Sequence, residues 1–145
     1  MADISQTAAN VTTGASTTPT KGPNGIQAGE AITQGMPVYK STVDSKYYKS
    51  DADTAAASVC DGIALTPAAT NGNFIIAVPG TAPGVSLVNL GATLTVGLEY
   101  YVSTNAGGIC AIGDLTTGDF PTSLGFATTA ALLDFRSIAS LTAKP

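Results

Sequence analysis

Gly29-Glu30-Ala31-Ile32-Thr33-Gln34-Gly35-Met36-Pro37-Val38-Tyr39 returns 62 positions later as Gly91-Ala92-Thr93-Leu94-Thr95-Val96-Gly97-Leu98-Glu99-Tyr100-Tyr101. Five pairs agree in type: Gly29/Gly91, Ile32/Leu94, Thr33/Thr95, Gly35/Gly97 and Tyr39/Tyr101. A second echo follows each copy, since Gly62-Ile63-Ala64-Leu65-Thr66 comes back as Gly125-Phe126-Ala127-Thr128-Thr129, 63 positions on. Two short motifs that recur in one order at nearly one spacing point to two similar β half-units, about 26–84 and 85–137, folded against one another. Gly29, Gly35, Gly91 and Gly97 are the expected repeat turns.

Around these motifs the chain reads as short β runs divided by turns. The runs are 36–40, 46–50, 59–65, 74–78, 85–90, 98–103, 109–112, 120–127 and 131–136, with Asn71-Gly72, Pro79-Gly80, Pro83-Gly84 and Gly107-Gly108 among the breaks. Residues 51–58, rich in alanine, suit a turn or one short helix. No stretch carries an apolar stripe at helical spacing. The expectation is an all-β domain over 26–145, a small, partly closed barrel or a sandwich. Two matching halves favour the barrel, because closure protects sheet edges.

Residues 1–25 differ from the rest. The stretch from Thr12 to Gly25 has no apolar period and many breakers. Alone it buries too little to offset its ordering entropy. It reads either as an extended N-terminal arm, ordered when a neighbour receives it, or as a floppy tail. Fully stretched, the 25 residues would reach about 80 Å. Ile4, Val11, Thr17, Pro19 and Lys21 are its candidate contact residues. Docking would lean on backbone pairing with a partner's sheet edge rather than on deep burial.

Composition narrows the function. Of 145 residues, 44% are hydrophobic and only 11% charged, so the surface is short of charge. Such a surface suits a chain partly covered by partners, or else a secreted β domain with a neutral exterior. Net charge is −4, and the six Lys and Arg are scattered, which argues against nucleic-acid binding. Lys40, Lys46 and Lys49 share their segment with Asp44, Asp51 and Asp53, as a solvated loop does. The opening Met1-Ala2-Asp3-Ile4-Ser5-Gln6 lacks the features of a signal peptide, and no apolar run is long enough to span a bilayer. The chain is expected to be made in a cytoplasm and to stay soluble, with no membrane partner.

Histidine is absent, which removes the usual general base and the commonest transition-metal ligand. Asp51-Ala52-Asp53 lacks the glycine and closing glutamate of a calcium loop and reads as a surface turn. Asp114 and Asp119 flank another solvated loop. Tyr47-Tyr48 and Tyr100-Tyr101 each place one ring inside and one outside a strand. Cys60 and Cys110 have no metal-site spacing and read as buried free thiols, a disulfide being the alternative. Asn10-Val11-Thr12 matches a glycosylation sequon without other signs of secretion. No enzyme, cofactor or metal is expected.

The segment from Ala28 to Tyr39 resembles the Gly-Glu-Ala-(Ile/Leu)-Thr-x-Gly-x-x-Val-Tyr opening of the small capsid decoration, or cement, proteins of tailed bacteriophages. Tyr48-Lys49-Ser50-Asp51-Ala52-Asp53 with Gly62-Ile63-Ala64 is similar to that family's next block. The segment from Leu94 to Ile109 looks like its second half, and Leu124-Gly125-Phe126-Ala127 like its close. The resemblance covers about residues 28 to 136 and leaves 1–25 outside. It implies a non-enzymatic homotrimer on the outer surface of an expanded virion head, bridging major capsid protein subunits, with the arm reaching across the shell. The competing expectation is a β-rich carbohydrate- or receptor-binding module of a fibre or adhesin.

Overall fold

The computed structural model describes residues 3–145. Eleven strands follow in chain order: β1 Val11–Thr13, β2 Thr20–Lys21, β3 Pro37–Lys40, β4 Tyr47–Lys49, β5 Gly62–Ala64, β6 Ile76–Ala77, β7 Leu87–Leu90, β8 Glu99–Val102, β9 Ile109–Ala111, β10 Thr122–Ala127 and β11 Leu132–Ala139. One helix, α1 Ala55–Ser58, lies in the alanine-rich stretch; Ala57 N–H donates to Thr54 Oγ1 (3.3 Å) and caps it. With 33% strand against 7% helix the chain is all-β.

The strands form two antiparallel sheets, a six-stranded one ordered β1-β7-β11-β10-β8-β9 and a five-stranded one ordered β2-β6-β5-β3-β4. The result is sandwich-like, not the partly closed barrel that two matching halves favour. Closure is not needed, because all four edges are managed in another way. The β1 and β2 edges are three and two residues long. Beside β4, Gly29 N–H donates to Tyr47 O (2.8 Å) and Tyr47 N–H to Gln27 O (2.9 Å). Beside β9, Ile4 N–H donates to Ile109 O (2.9 Å).

The two halves correspond in their strand order and hydrogen bonds. The orders β6-β5-β3-β4 and β11-β10-β8-β9 match strand for strand. Gly35 N–H donates to Ala64 O and Gly97 N–H to Ala127 O; Ala64 N–H returns to Met36 O and Ala127 N–H to Leu98 O. Ile32 N–H donates to Ala68 O as Leu94 N–H does to Ala130 O. The two recurring sequence motifs are thus partners of one another in each half. Their spacing is kept because the turn of the first motif seats on the strand of the second.

The sheets differ in burial. In the six-stranded sheet β7 and β8 alternate half-buried and buried residues, so one face meets the core. Leu90, Val102, Ile109, Leu124, Leu133 and Phe135 pack there with Ile63 and Ala77 of the five-stranded sheet. That second sheet also has a core on its far side, where Val38, Ala64 and Ile76 meet Ile26, Ile32, Tyr47 and Phe74. Hence β5 is buried along its whole length. Phe74 stands edge-on to Tyr47, with centroids 6.0 Å apart.

The four expected repeat glycines do not play one role. Gly35 (φ +94°) and Gly97 (φ +82°) both sit in left-handed turns. Gly91 (φ +67°) also does, whereas Gly29 has no positive φ and is small because the Tyr48 ring lies against it. A Cβ on Gly97 would meet open space, while one on Gly35 would come within 2.8 Å of Gln6 Nε2 and 2.9 Å of Val11 Cγ2. Gly97→Ala is therefore expected to cost about 1 kcal/mol, from backbone strain alone. Gly35→Ala adds a clash and should cost about 2–4 kcal/mol. Urea unfolding of the two variants checks the difference; equal losses would contradict it.

Candidate functional site

The segment expected as a partner-seeking arm finds sheet edges in its own chain; its residues 1 and 2 lie outside the described residues. β1 pairs with β7 (Val11↔Leu90, Thr12↔Asn89, Thr13↔Val88) and β2 with β6 (Thr20↔Ala77, Lys21↔Ile76). One stretch of chain therefore completes both layers of the sandwich. Ile4 is half-buried against the main core. Thr17 Oγ1 donates to Val85 O (2.9 Å), and Pro19 O accepts from Val78 N–H (2.8 Å). Lys21 is exposed. Backbone pairing within the chain carries this docking at β1 and β2, and Val11 is buried, at 1% exposed.

Two polar residues in this segment do more than the expected ones. Gln6 Nε2 donates to Gly35 O (3.0 Å) and to Leu90 O (3.0 Å), one carbonyl from each half. Thr18 Oγ1 donates to Leu87 O (3.0 Å) and accepts from Leu87 N–H (3.1 Å). Nothing in local sequence separates these two from other small polar residues, because their partners lie up to 84 positions away.

Chemistry-bearing side chains do not converge. Among the described residues no group of three or more His, Cys, Asp or Glu is placed to hold a metal ion, and no helix is long and apolar enough to cross a membrane. Asp51 Oδ1 accepts from Asp53 N–H (3.0 Å), and Asp119 Oδ2 accepts from the N–H of Thr116, so both pairs close local turns. Cys60 and Cys110 are free and buried. Burial pushes both thiols up to about 12.

The surface has two kinds of feature. Large apolar side chains stand in water: Val43 (93% exposed), Ile138 (69%), Leu141 (57%), Phe126 (53%), with Val96, Leu98 and Ile112. Phe126 and Ile138 share a shallow pocket of about 140 Å³ on the outer face of the six-stranded sheet with Glu99, Asp134 and Arg136. Two larger grooves adjoin. One, about 580 Å³, includes Lys21, Lys40, Asp61, Thr81 and Ser137 in its walls. The other, about 590 Å³, is walled by Tyr39, Val43, Ala55, Ala56 and Leu141 among others. Lys40 and Val59 belong to both.

Comparison of the chain with protein-family models, curated proteins and solved structures finds no match.

Two outcomes follow from this geometry. Gln6→Ala strips a shared donor from two carbonyls and should cost about 1–3 kcal/mol in urea unfolding, whereas Gln27→Ala, which strips a single solvent-exposed bond to Asn71 O (2.8 Å), should cost less. The thiols should resist a disulfide reagent at pH 8 in the native protein and react fully once it is unfolded. Their raised values also set a pH slope. Below about 9 both folded and unfolded thiols keep their protons; between about 9 and about 12 only the unfolded chain releases them, so stability falls as pH rises. A Cys60→Ala/Cys110→Ala double variant should show a shallower alkaline decline in melting temperature.

Proposed function

We propose that this chain is a structural capsid decoration protein, which binds the outer surface of an expanded phage head as a trimer and bridges major capsid protein subunits. The observation that carries this is the surface: seven large apolar side chains are exposed on a chain with only 11% charged residues. A surface of that kind is favourable when covered and costly when left wet. The body beneath it suits a clamp. It is a duplicated sandwich whose edges are short or covered, so it offers rigid faces instead of open strands for uncontrolled pairing. Binding the assembled shell and not its parts would stabilise the shell by mass action. The likeness of 28–136 to the decoration family points the same way.

The arm takes a changed part in this proposal. Ile4 and Val11 pack into the core, which leaves the exposed Thr17 and Lys21 and the half-buried Pro19, for all the bonds that Thr17 and Pro19 make within the chain, as the arm's share of a capsid contact. Phe126 and Ile138, with Arg136 and Asp134 beside them, form the face we assign to contact between subunits of the trimer.

One observation favours the alternative, a carbohydrate- or receptor-binding module. Tyr39 and Tyr48 neighbour one another, with centroids 6.1 Å apart, and Tyr48 Oη donates to Asp44 Oδ2 (2.6 Å). That hydroxyl holds the Asp44 carboxyl below its ordinary value. The rings are tilted by 33°, however, so they do not make one flat platform for a sugar.

The test is co-sedimentation of the purified protein with expanded, DNA-filled heads of the phage that encodes it, stripped of their own copies. Saturable binding that is lost with unexpanded heads is expected. Binding to a glycan array without affinity for heads would favour the alternative. Deleting residues 2 to 24 is a poor test of the arm, since it uncovers β6 and β7; Thr17→Asp and Pro19→Asp probe capsid contact while keeping both strand pairings.

A further inference from the structure

The two adjoining grooves form one extended concave surface, and their walls divide by chemistry. Lys21 comes from β2, the second arm strand, and Lys40 from the end of β3. Neither ammonium has an ion pair or hydrogen bond among the described residues, where the one ion pair joins Lys49 and Glu30 at 3.9 Å. The single carboxylate in the same groove, Asp61, accepts the backbone N–H of Lys40 through Oδ2 (2.8 Å). In a chain of net charge −4, two of its six cations thus face one hollow with one acid between them. The hydroxyls of Thr81 and Ser137 lie in the same wall.

Past Lys40 and Val59 the surface becomes apolar. Ala55 and Ala56 of α1 leave room, and Val43 and Leu141 supply the rims. Leu141 is held there at a cost. Its φ is +56°, a left-handed conformation that disfavours a leucine by roughly 1–2 kcal/mol. The flanking chain keeps it in place: Ser140 N–H donates to Pro121 O (3.0 Å), Thr142 N–H to Ser140 Oγ (3.2 Å), and Lys144 N–H to Asp119 O (2.7 Å). The strain does not serve the core, because the side chain remains 57% exposed. It places an apolar group at the mouth of a groove.

We infer that this double groove binds an extended peptide segment of a partner protein, with a carboxylate-bearing residue at the Lys21/Lys40 end and aliphatic residues at the Val43/Leu141 end. Charge complementarity sets the direction. An acidic residue meets two unpaired ammoniums, whereas a nucleic-acid backbone carries many charges and is repelled more strongly than one or two carboxylates by a chain of net charge −4. Small alanine walls beside branched rims suit aliphatic side chains better than a flat ring. Only the identity of the partner as capsid protein rests on the function proposed above; the peptide chemistry stands on the groove itself.

The test is a titration of the full ¹⁵N-labelled chain with the synthetic peptide acetyl-Asp-Asp-Thr-Val-Leu-Val-amide, followed by amide chemical shifts. The same peptide with two lysines in place of the aspartates is the control. Saturable shifts are expected at Lys21, Lys40, Ser137, Val43 and Leu141, with none from the lysine peptide. High salt should weaken the binding. Lys21→Glu with Lys40→Glu should weaken it by about tenfold or more, because each reversal turns attraction into repulsion of similar size. Leu141→Ser should weaken it by about threefold or more through lost apolar contact. An unchanged urea midpoint shows that these exposed substitutions leave the fold intact.

Three results would overturn the inference: no saturable shift at these residues up to millimolar peptide, equal binding of the lysine peptide, or the same shifts on concentrating the protein alone, which would assign the groove to a second copy. Head co-sedimentation separates this from the proposed function. Heads bound equally by the wild type and the charge-reversed variant would show that the capsid protein is not the groove's partner and leave the decoration role. Peptide bound in the groove without any affinity for heads would leave the groove and remove the decoration role.

Discussion

The side-chain amide of Gln6 is the joint on which the rest of the molecule hangs. Its two N–H groups reach Gly35 O in the first half and Leu90 O at the start of the second. Val11 lies in the same place: a Cβ on Gly35 or on Gly91 would meet its Cγ2 within 2.9 or 3.2 Å. Gln34 Nε2 in turn donates to Val11 O (2.7 Å). Both glycines must lack a side chain there, one for its turn and for the arm, the other because the Thr7 carbonyl presses on it. The halves match strand for strand, but what fastens them is a segment that belongs to neither.

That fastening explains why the fold is a sandwich. Two similar four-strand units, each with two outer strands, would expose four edges between them. A chain can remove edges by curling the units into one cylinder. Here β1 and β2 are laid along one side of each sheet, and short backbone contacts from 27–29 and from Ile4 cover the other side. The sheets keep their separate identities, and the five-stranded one is free to bury both faces.

Much of this was legible in the residues. All nine strands expected from runs of apolar and β-branched residues are present, and the paired motifs lie where a duplicated unit would put them. The reason is that each such strand buries a face, and burial leaves alternation or a continuous apolar run in the sequence. β1 and β2 left no such trace. They are held by ladder hydrogen bonds that any residue can make, and of their side chains only that of Val11 is buried. Composition said that the segment needs an edge to pair with, but not whose edge. Gln6 and Thr18 were silent for a related reason: a side-chain amide or hydroxyl gains meaning from carbonyls that the fold brings from far along the chain. The grooves depend in the same way on the junction of Lys21, Lys40 and Leu141, which are separated by most of the domain.

The route by which the arm docks also constrains how the molecule comes into being. Ile4 bonds to Ile109 and Asp3 Oδ2 accepts from Asn105 Nδ2 (3.1 Å), so contacts at the first described residues close across about a hundred positions. During synthesis this segment leaves the ribosome well before β7 or β9 exists. Its partners on β6, β7 and β9 are still missing through much of elongation. Closing so long a loop is entropically slow, and folding dominated by such distant pairings lags behind folding through local ones. A nascent chain with the strap still open carries two unfinished sheets, each able to accept a strand from a neighbouring polypeptide. The scarcity of aliphatic residues from 12 to 25 then has a second use: a strap that is poorly sticky while it waits is a poor seed for aggregation.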